Sequence, residues 1–241
     1  MADLYSNTDD GFCNPGFQSS FAAARDHAGF GFNRNSSATT SAPNVTKLAA
    51  RGGGFMFNVT RNFYYFDTSG ITGTVGSATF KIYGHGSATT GSIIAVKSTA
   101  FGGDGGTALA AGDFNSIVGY SSGASLAGNA TDYSNTILAG SWNTSGYNDL
   151  TATADLLADM KNNNVVIICA MNYTNDYLNS EPANTVAVGS NFTEASGTSK
   201  DPYIEYELAT GYGNKVLGVT AGNIAKVDGV ATANIEKVIG V

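Results

Sequence analysis

Residues 77–83 constrain this chain most, because Ala78, Phe80 and Ile82 alternate there with Thr79, Lys81 and Tyr83. An apolar period of two is the signature of a strand with one face buried and one wet. Such a strand cannot hide its apolar face alone and requires a sheet and a second layer. The surrounding runs are of the same kind: Phe55–Val59, 63–66, 92–97, 136–138, 164–171, 185–188 and Tyr203–Leu208 are short, apolar or aromatic, and set among Gly, Ser and Asn. Helical pattern is confined to residues 153–161, with Thr153 as N-cap and Asn162 and Asn163 as the stop, to 21–28, and to a turn or two within 108–117. Many short strands joined by Gly-rich turns predict an all-β chain, a jelly-roll-like β-sandwich over residues 1–208.

Composition excludes several function classes. Only 13% of residues are charged, yet 12 Tyr and 13 Phe supply ample core, so the chain is not of the disordered type. A net charge of −7 with no basic run argues against a grip on nucleic acid. The longest apolar run, 165–171, is far short of the roughly 20 residues that span a bilayer. Residues 1–5 show no secretory leader, so synthesis in a cytoplasm is expected. Cys13 in a loop-like stretch and Cys169 in the apolar run are not expected to pair; Cys169 reads as a small core residue.

Candidate chemistry is thin. Residues 119–123 match the Gly-x-Ser-x-Gly elbow of serine hydrolases, but that elbow needs a helix after it and a histidine later in the chain. His27 and His85 both precede it, so it reads as a Gly/Ser loop, and no enzyme activity is expected. Residues 102–106 read as a turn, and His85 as a turn residue without a second ligand. Asp104, Asp113, Asp132, Asp149 and Asp176 sit in loop-like stretches as solvated turn carboxylates; oxygen-rich loops of that kind leave calcium as the one metal to test. Trp142, Tyr147, Tyr173 and Tyr177 lie among Asn and Asp, the mixture a sugar platform needs, with core or interface packing as the competing reading.

The C-terminal residues repeat with a period of 11: Gly218-Val219, Gly229-Val230 and Gly240-Val241 recur, and Asn223-Ile224 and Lys226-Val227 return as Asn234-Ile235 and Lys237-Val238. A small repeated unit rarely buries its apolar face alone. Residues 215–241 therefore read as an assembly tail behind a linker at 209–214, with Val219, Ile224, Val227, Val230, Ile235 and Val238 as its interface. Those residues also fall on one broad helical face, but recurrent Gly and dense Val and Ile disfavour a helix. Asp228-Gly229 between Val227 and Val230 favours a hairpin.

Residues 63–71, then 77–83, then Asp201-Pro202-Tyr203 and the strand that follows resemble, in order, the DNRLRE-type β-sandwich family. That family has an aromatic strand ending in Phe-Asp-x-Ser and a closing strand that opens on Pro-Tyr. The chain is also similar to virion proteins of tailed bacteriophages, marine ones especially, which join such a sandwich to a tail of this type. The resemblance implies surface display, adhesion or sugar contact, and no catalytic residues. With the tail, it gives the expectation of a virion structural protein on the particle surface: a capsid decoration, head-fibre or tail-fibre subunit. Its partners would be other virion subunits, in a homo-oligomer for which a trimer is the guess. The alternative is a carbohydrate-binding module that contacts a host surface glycan.

Overall fold

The alternating strand predicted at 77–83 is the centre of a six-stranded antiparallel sheet. The computed structural model describes residues 1–7, 10–27, 31–34, 39–41, 43–84, 91–183, 187–189, 192–194, 199–209, 226–227 and 230–231. In the first sheet β1 (Ala2–Tyr5) pairs with β14 (Tyr203–Leu208), and β14 pairs with β8 (Val75–Gly84). Lys81 faces Tyr203 across one edge of β8 and Asp149 of β10 (Tyr147–Thr151) across the other. Beyond β14, β13 (Phe192–Glu194) joins the end of β8 and carries β4 (Thr39–Ser41). Ala78, Phe80 and Ile82 are buried and Thr79, Lys81 and Tyr83 half-buried on the outer face, as the period of two requires.

A second sheet runs β3 (Gly31–Arg34), β2 (Gly11–Asn14), β7 (Arg61–Asp67), β11 (Val165–Asn172), β9 (Ile93–Lys97), again antiparallel. Its central strands read as continuous apolar runs because both of their faces are covered. Tyr64, Phe66, Val166 and Ile168 point toward the first sheet, where Phe80 meets Tyr64 and Phe66 edge-on at 5.3 and 5.8 Å. Phe63, Ile167, Cys169 and Met171 point the other way into a second core with Phe57, Phe101 and Phe114. Each such fully buried side chain is worth roughly 1.5–3 kcal/mol against exposure. The sandwich is therefore one sheet between two cores, and the second core is closed by loops and a third sheet.

That third sheet is β12 (Ala187–Gly189), β5 (Asn44–Ala49) and β6 (Phe55–Val59). The predicted helix at 153–161 is α2 (Ala154–Asn162), capped by the Thr153 hydroxyl, while the one at 21–28 is the shorter α1 (Phe21–Arg25), capped by Ser20. Residues 108–117 hold only a 3₁₀ turn at Ala111–Asn115. Residues 136–138 form no strand; Ile137 makes a single bridge to Ile93. Cys13 lies in β2 rather than a loop, and burial pushes its thiol up to about 12. Cys169 is buried too, its thiol raised by burial, and both cysteines are free. No helix among the described residues is long and apolar enough to cross a membrane.

Of the repeated tail, β15 (Lys226–Val227) pairs antiparallel with β16 (Val230–Ala231), Val227 opposite Val230. Two residues separate the strands, the spacing of the hairpin expected at Asp228-Gly229. Val219, Ile224, Ile235 and Val238, the linker 210–214 and His85 lie outside the described residues.

Candidate functional site

The four aromatics singled out in sequence do not form one platform. Trp142 is only 7% exposed and packs in the core between the first two sheets. The buried Asn148 explains why: it accepts from the Asn143 N–H at 2.7 Å and donates to the Asn143 carbonyl at 2.9 Å, which turns this corner inward. Tyr177 is buried as well, stacked on Tyr173 at 5.3 Å within a single π turn, with its hydroxyl donating to Asp132 at 2.9 Å. Trp142 and Tyr177 are therefore closed to a stacking sugar, whereas Tyr173 is half-buried with Tyr177 against one face. Tyr147, also half-buried, stands in a different group.

That group is a row of tyrosines across the outer face of the first sheet. Tyr5, Tyr203, Tyr147 and Tyr83 follow one another at centroid spacings of 5.4, 5.0 and 5.2 Å. Strand alternation sets them on one side: Ile204, Leu150 and Ile82 beside them point into the core. The Tyr147 hydroxyl donates to the Asp201 carbonyl at 3.1 Å, that of Tyr83 to Ser145 at 2.6 Å, and the Lys200 ammonium lies 5.1 Å over the Tyr83 ring. Burial, reinforced by the neighbouring Tyr203, pushes the Tyr147 phenol up to about 12. The Tyr83 end is thus tied down, whereas Tyr5 is 55% exposed at the other end. Lys81 forms ion pairs with Asp149 at 3.1 Å and Glu205 at 3.6 Å across the same face.

A second exposed feature is the hairpin of β5 and β6. Leu48 pairs with Met56 and Ala49 with Phe55 at its tip, and Leu48, Phe55 and Met56 are all exposed. Gly52, Gly53 and Gly54 close the turn at φ of 100°, 99° and 82°, a left-handed path open to glycine. A Cβ placed on any of the three would meet nothing within 4 Å, so the tip stands clear of the body. Phe17 is exposed one residue before Gln18, which bridges Phe57, and alternation puts it on the same outer face as Leu48 and Met56. Leu48, Met56 and Phe17 thus share one exposed apolar face, while Phe55, on the opposite face of the hairpin, lies 4.5 Å under the Lys47 ammonium. The sequence signal for the tip was Arg51-Gly-Gly-Gly54 flanked by apolar residues, a turn whose one polar side chain is Arg51.

The five aspartates are also spoken for, each in a different place. Asp176 is a correction: rather than a solvated turn carboxylate, it is fully buried, and its carboxylate accepts from Arg61 Nε and Nη2, both at 2.7 Å. Asp132 accepts from Tyr177, Asp149 from Lys81, Asp113 from the Ala110 N–H and Asp104 from the Gly106 N–H. Among the described residues no three His, Cys, Asp or Glu gather as a metal site. The 119–123 stretch is a loop held from outside, with the Gly123 N–H and the Tyr120 hydroxyl both donating to Asp26, at 2.8 and 2.7 Å. Gly119 has φ 81°, and a Cβ there would collide with the Asn129 carbonyl.

A cleft of about 570 Å³ opens beside α2, lined in part by Lys97, Asp104, Tyr133 and the asparagines 162–164. Its rim is organised by Asp159, which accepts from Lys97 at 2.7 Å, from the Tyr133 hydroxyl and from Asn163 at 2.8 Å. Burial works to raise the Asp159 carboxyl, but these partners hold it below its ordinary 3.8. Folding therefore favours the ionised form. Its contribution is complete above the unfolded value and is lost as pH falls through the lower folded one. Asp159→Asn is expected to melt earlier than the parent at about pH 6, with the gap closing as pH falls below the carboxyl's ordinary 3.8 and through its lower folded value. A gap that stays constant through acid would refute this.

No protein-family model matches this chain, and no curated protein matches it. The fold is an antiparallel all-β sandwich that exposes a tyrosine row and an apolar hairpin tip.

Proposed function

We propose that this chain is a structural subunit of a bacteriophage particle, a capsid decoration, head-fibre or tail-fibre protein that acts through its surfaces. The observation that carries the reading is the apolar hairpin tip, where Leu48, Phe55 and Met56 project on a glycine turn. Exposing such side chains is a liability in a solitary protein and an asset where a neighbour covers them. The repeated tail and the resemblance to phage β-sandwich proteins support the same reading. Mass spectrometry of purified particles tests it. The chain is expected at a fixed, stoichiometric copy number, and its absence from particles would sink the reading.

A saccharide-binding module is the second reading, favoured by the open Tyr5 ring beside Tyr203, with Asp3 and Glu205 flanking it. Flat apolar rings next to carboxylates suit a sugar's C–H face and its hydroxyls. Saturable binding on a glycan array, lost on Tyr5→Ala, is the result that would favour this reading over the first.

A further inference from the structure

The two exposed surfaces carry opposite local charge although the chain as a whole is acidic. Residues 44–59 contain Lys47 and Arg51 and no carboxylate. Lys47 is paired with Glu181 at 2.8 Å, whereas Arg51, exposed at the turn, has no ion-pair partner among the described residues. On the tyrosine face Asp3, Asp149, Glu205 and Glu207 stand against Lys81, with Lys200 at the far, Tyr83 end. Glu207 is 3.8 Å from the terminal ammonium of Met1. Asp3 and Glu205 are direct cross-strand partners, and like charges placed opposite each other destabilise a strand pair. Lys81 reaches Glu205 only at 3.6 Å and is shared with Asp149, so this pair is incompletely neutralised. A further cation arriving there would be stabilising.

We propose that the hairpin tip of one copy docks on the tyrosine face of a second copy, with Arg51 entering between Asp3 and Glu205 and Leu48 and Met56 covering the rings of Tyr5 and Tyr203. The parts match in kind. A guanidinium fork reaches two carboxylates at once, and a thioether and a leucine side chain both pack well on tyrosine. The occupant is a second copy because both complementary halves lie on one chain. The surfaces differ, so the contact is head-to-tail and repeats, closing a ring or extending a row. This rests on the reading that the chain works through interfaces, and it adds which surfaces meet.

Two full-length variants test it by sedimentation over a concentration series: Met56→Asp, which spoils the tip, and Tyr5→Asp, which spoils the face. Both positions are exposed, so melting temperatures close to the parent's confirm that each variant folds. The parent is expected to grow in mass with concentration, and each variant to self-associate about tenfold or more weakly. The equimolar mixture should recover complexes that neither variant forms alone, because one intact tip meets one intact face. A charge pair adds a second arm: Arg51→Glu and Glu205→Lys each weaken association, and mixing them restores it. A mixture no larger than its separate components overturns the proposal, as does a parent whose association ignores both substitutions. Neither result touches the particle reading, which is decided by copy number in virions.

Discussion

Asp176→Asn is expected to destabilise the protein by about 3–5 kcal/mol, the loss typical of breaking a buried ion pair from one side. Asp176, Arg25 and Arg61 are all fully buried. The carboxylate receives two 2.7 Å bonds from Arg61 and lies 3.4 Å from Arg25 Nε, while the Asp176 backbone carbonyl accepts from the same Nε at 2.7 Å. Burial pulls the Arg61 guanidinium down, but the charge and hydrogen bonds of Asp176 more than offset it, so the net shift is upward and Arg61 stays charged. Take the carboxylate away and that cation is left with the Phe114 carbonyl at 2.8 Å, the Arg25 carbonyl at 3.2 Å, the Asn115 side chain at 2.7 Å and aromatic rings such as Phe114 at 4.1 Å. None of these neutralises it. For a chain of this length the melting temperature should fall on the order of 10 °C. Adding Arg61→Met to the variant should recover part of the loss, because the stranded charge goes with it. A single variant that melts with the parent would mean that the network carries no net stability.

On the proposed virion role, deleting residues 215–241 is expected to leave the sandwich folded and to impair assembly. β14 ends at Leu208, and the last described contact of the body is the Ala209 N–H donating to the Thr74 carbonyl at 2.7 Å. Every strand pair of the three large sheets lies before that point. The truncated chain should therefore melt within about 2 °C of the parent, a shift that corresponds to less than roughly 1 kcal/mol. Assembly is different, since an 11-residue unit with apolar Val and Ile in each copy has a face to cover. Particles formed with only the truncated chain and carrying it at normal copy number would remove the tail from the assembly mechanism. A large drop in melting temperature would instead make the tail part of the fold.

Legibility followed the local pattern. The alternation at Ala78, Phe80 and Ile82 and the run 165–171 announced strands because each stretch carries its own burial signal. The Thr153 cap announced α2 for the same reason. Ala2–Tyr5, Asn44–Ala49 and Tyr147–Thr151 gave no such signal. The first and third are edge strands with polar outer faces, and the second buries Lys47, whose ammonium is satisfied by Glu181 and lies 4.5 Å over the Phe55 ring. The candidate site was less legible still. Tyr147 reads from its Asn and Asp flanks as a candidate sugar contact, but its neighbours Tyr5, Tyr83 and Tyr203 come from three other strands. Trp142 and Tyr177 carried the same polar flanks as Tyr147 and were turned inward by Asn148 and Asp132.

From the sequence alone came the all-β class, the strand material and the hairpin spacing at Val227 and Val230, all of which depend on residues close together in the chain. Only the tertiary structure decided that one sheet would serve two cores, that Asp176 would be locked between Arg25 and Arg61 from 115 and more residues away, and which tyrosines share a face. Those outcomes depend on which strand lies beside which, and pairing between distant strands is set by burial of the whole, which no local period records.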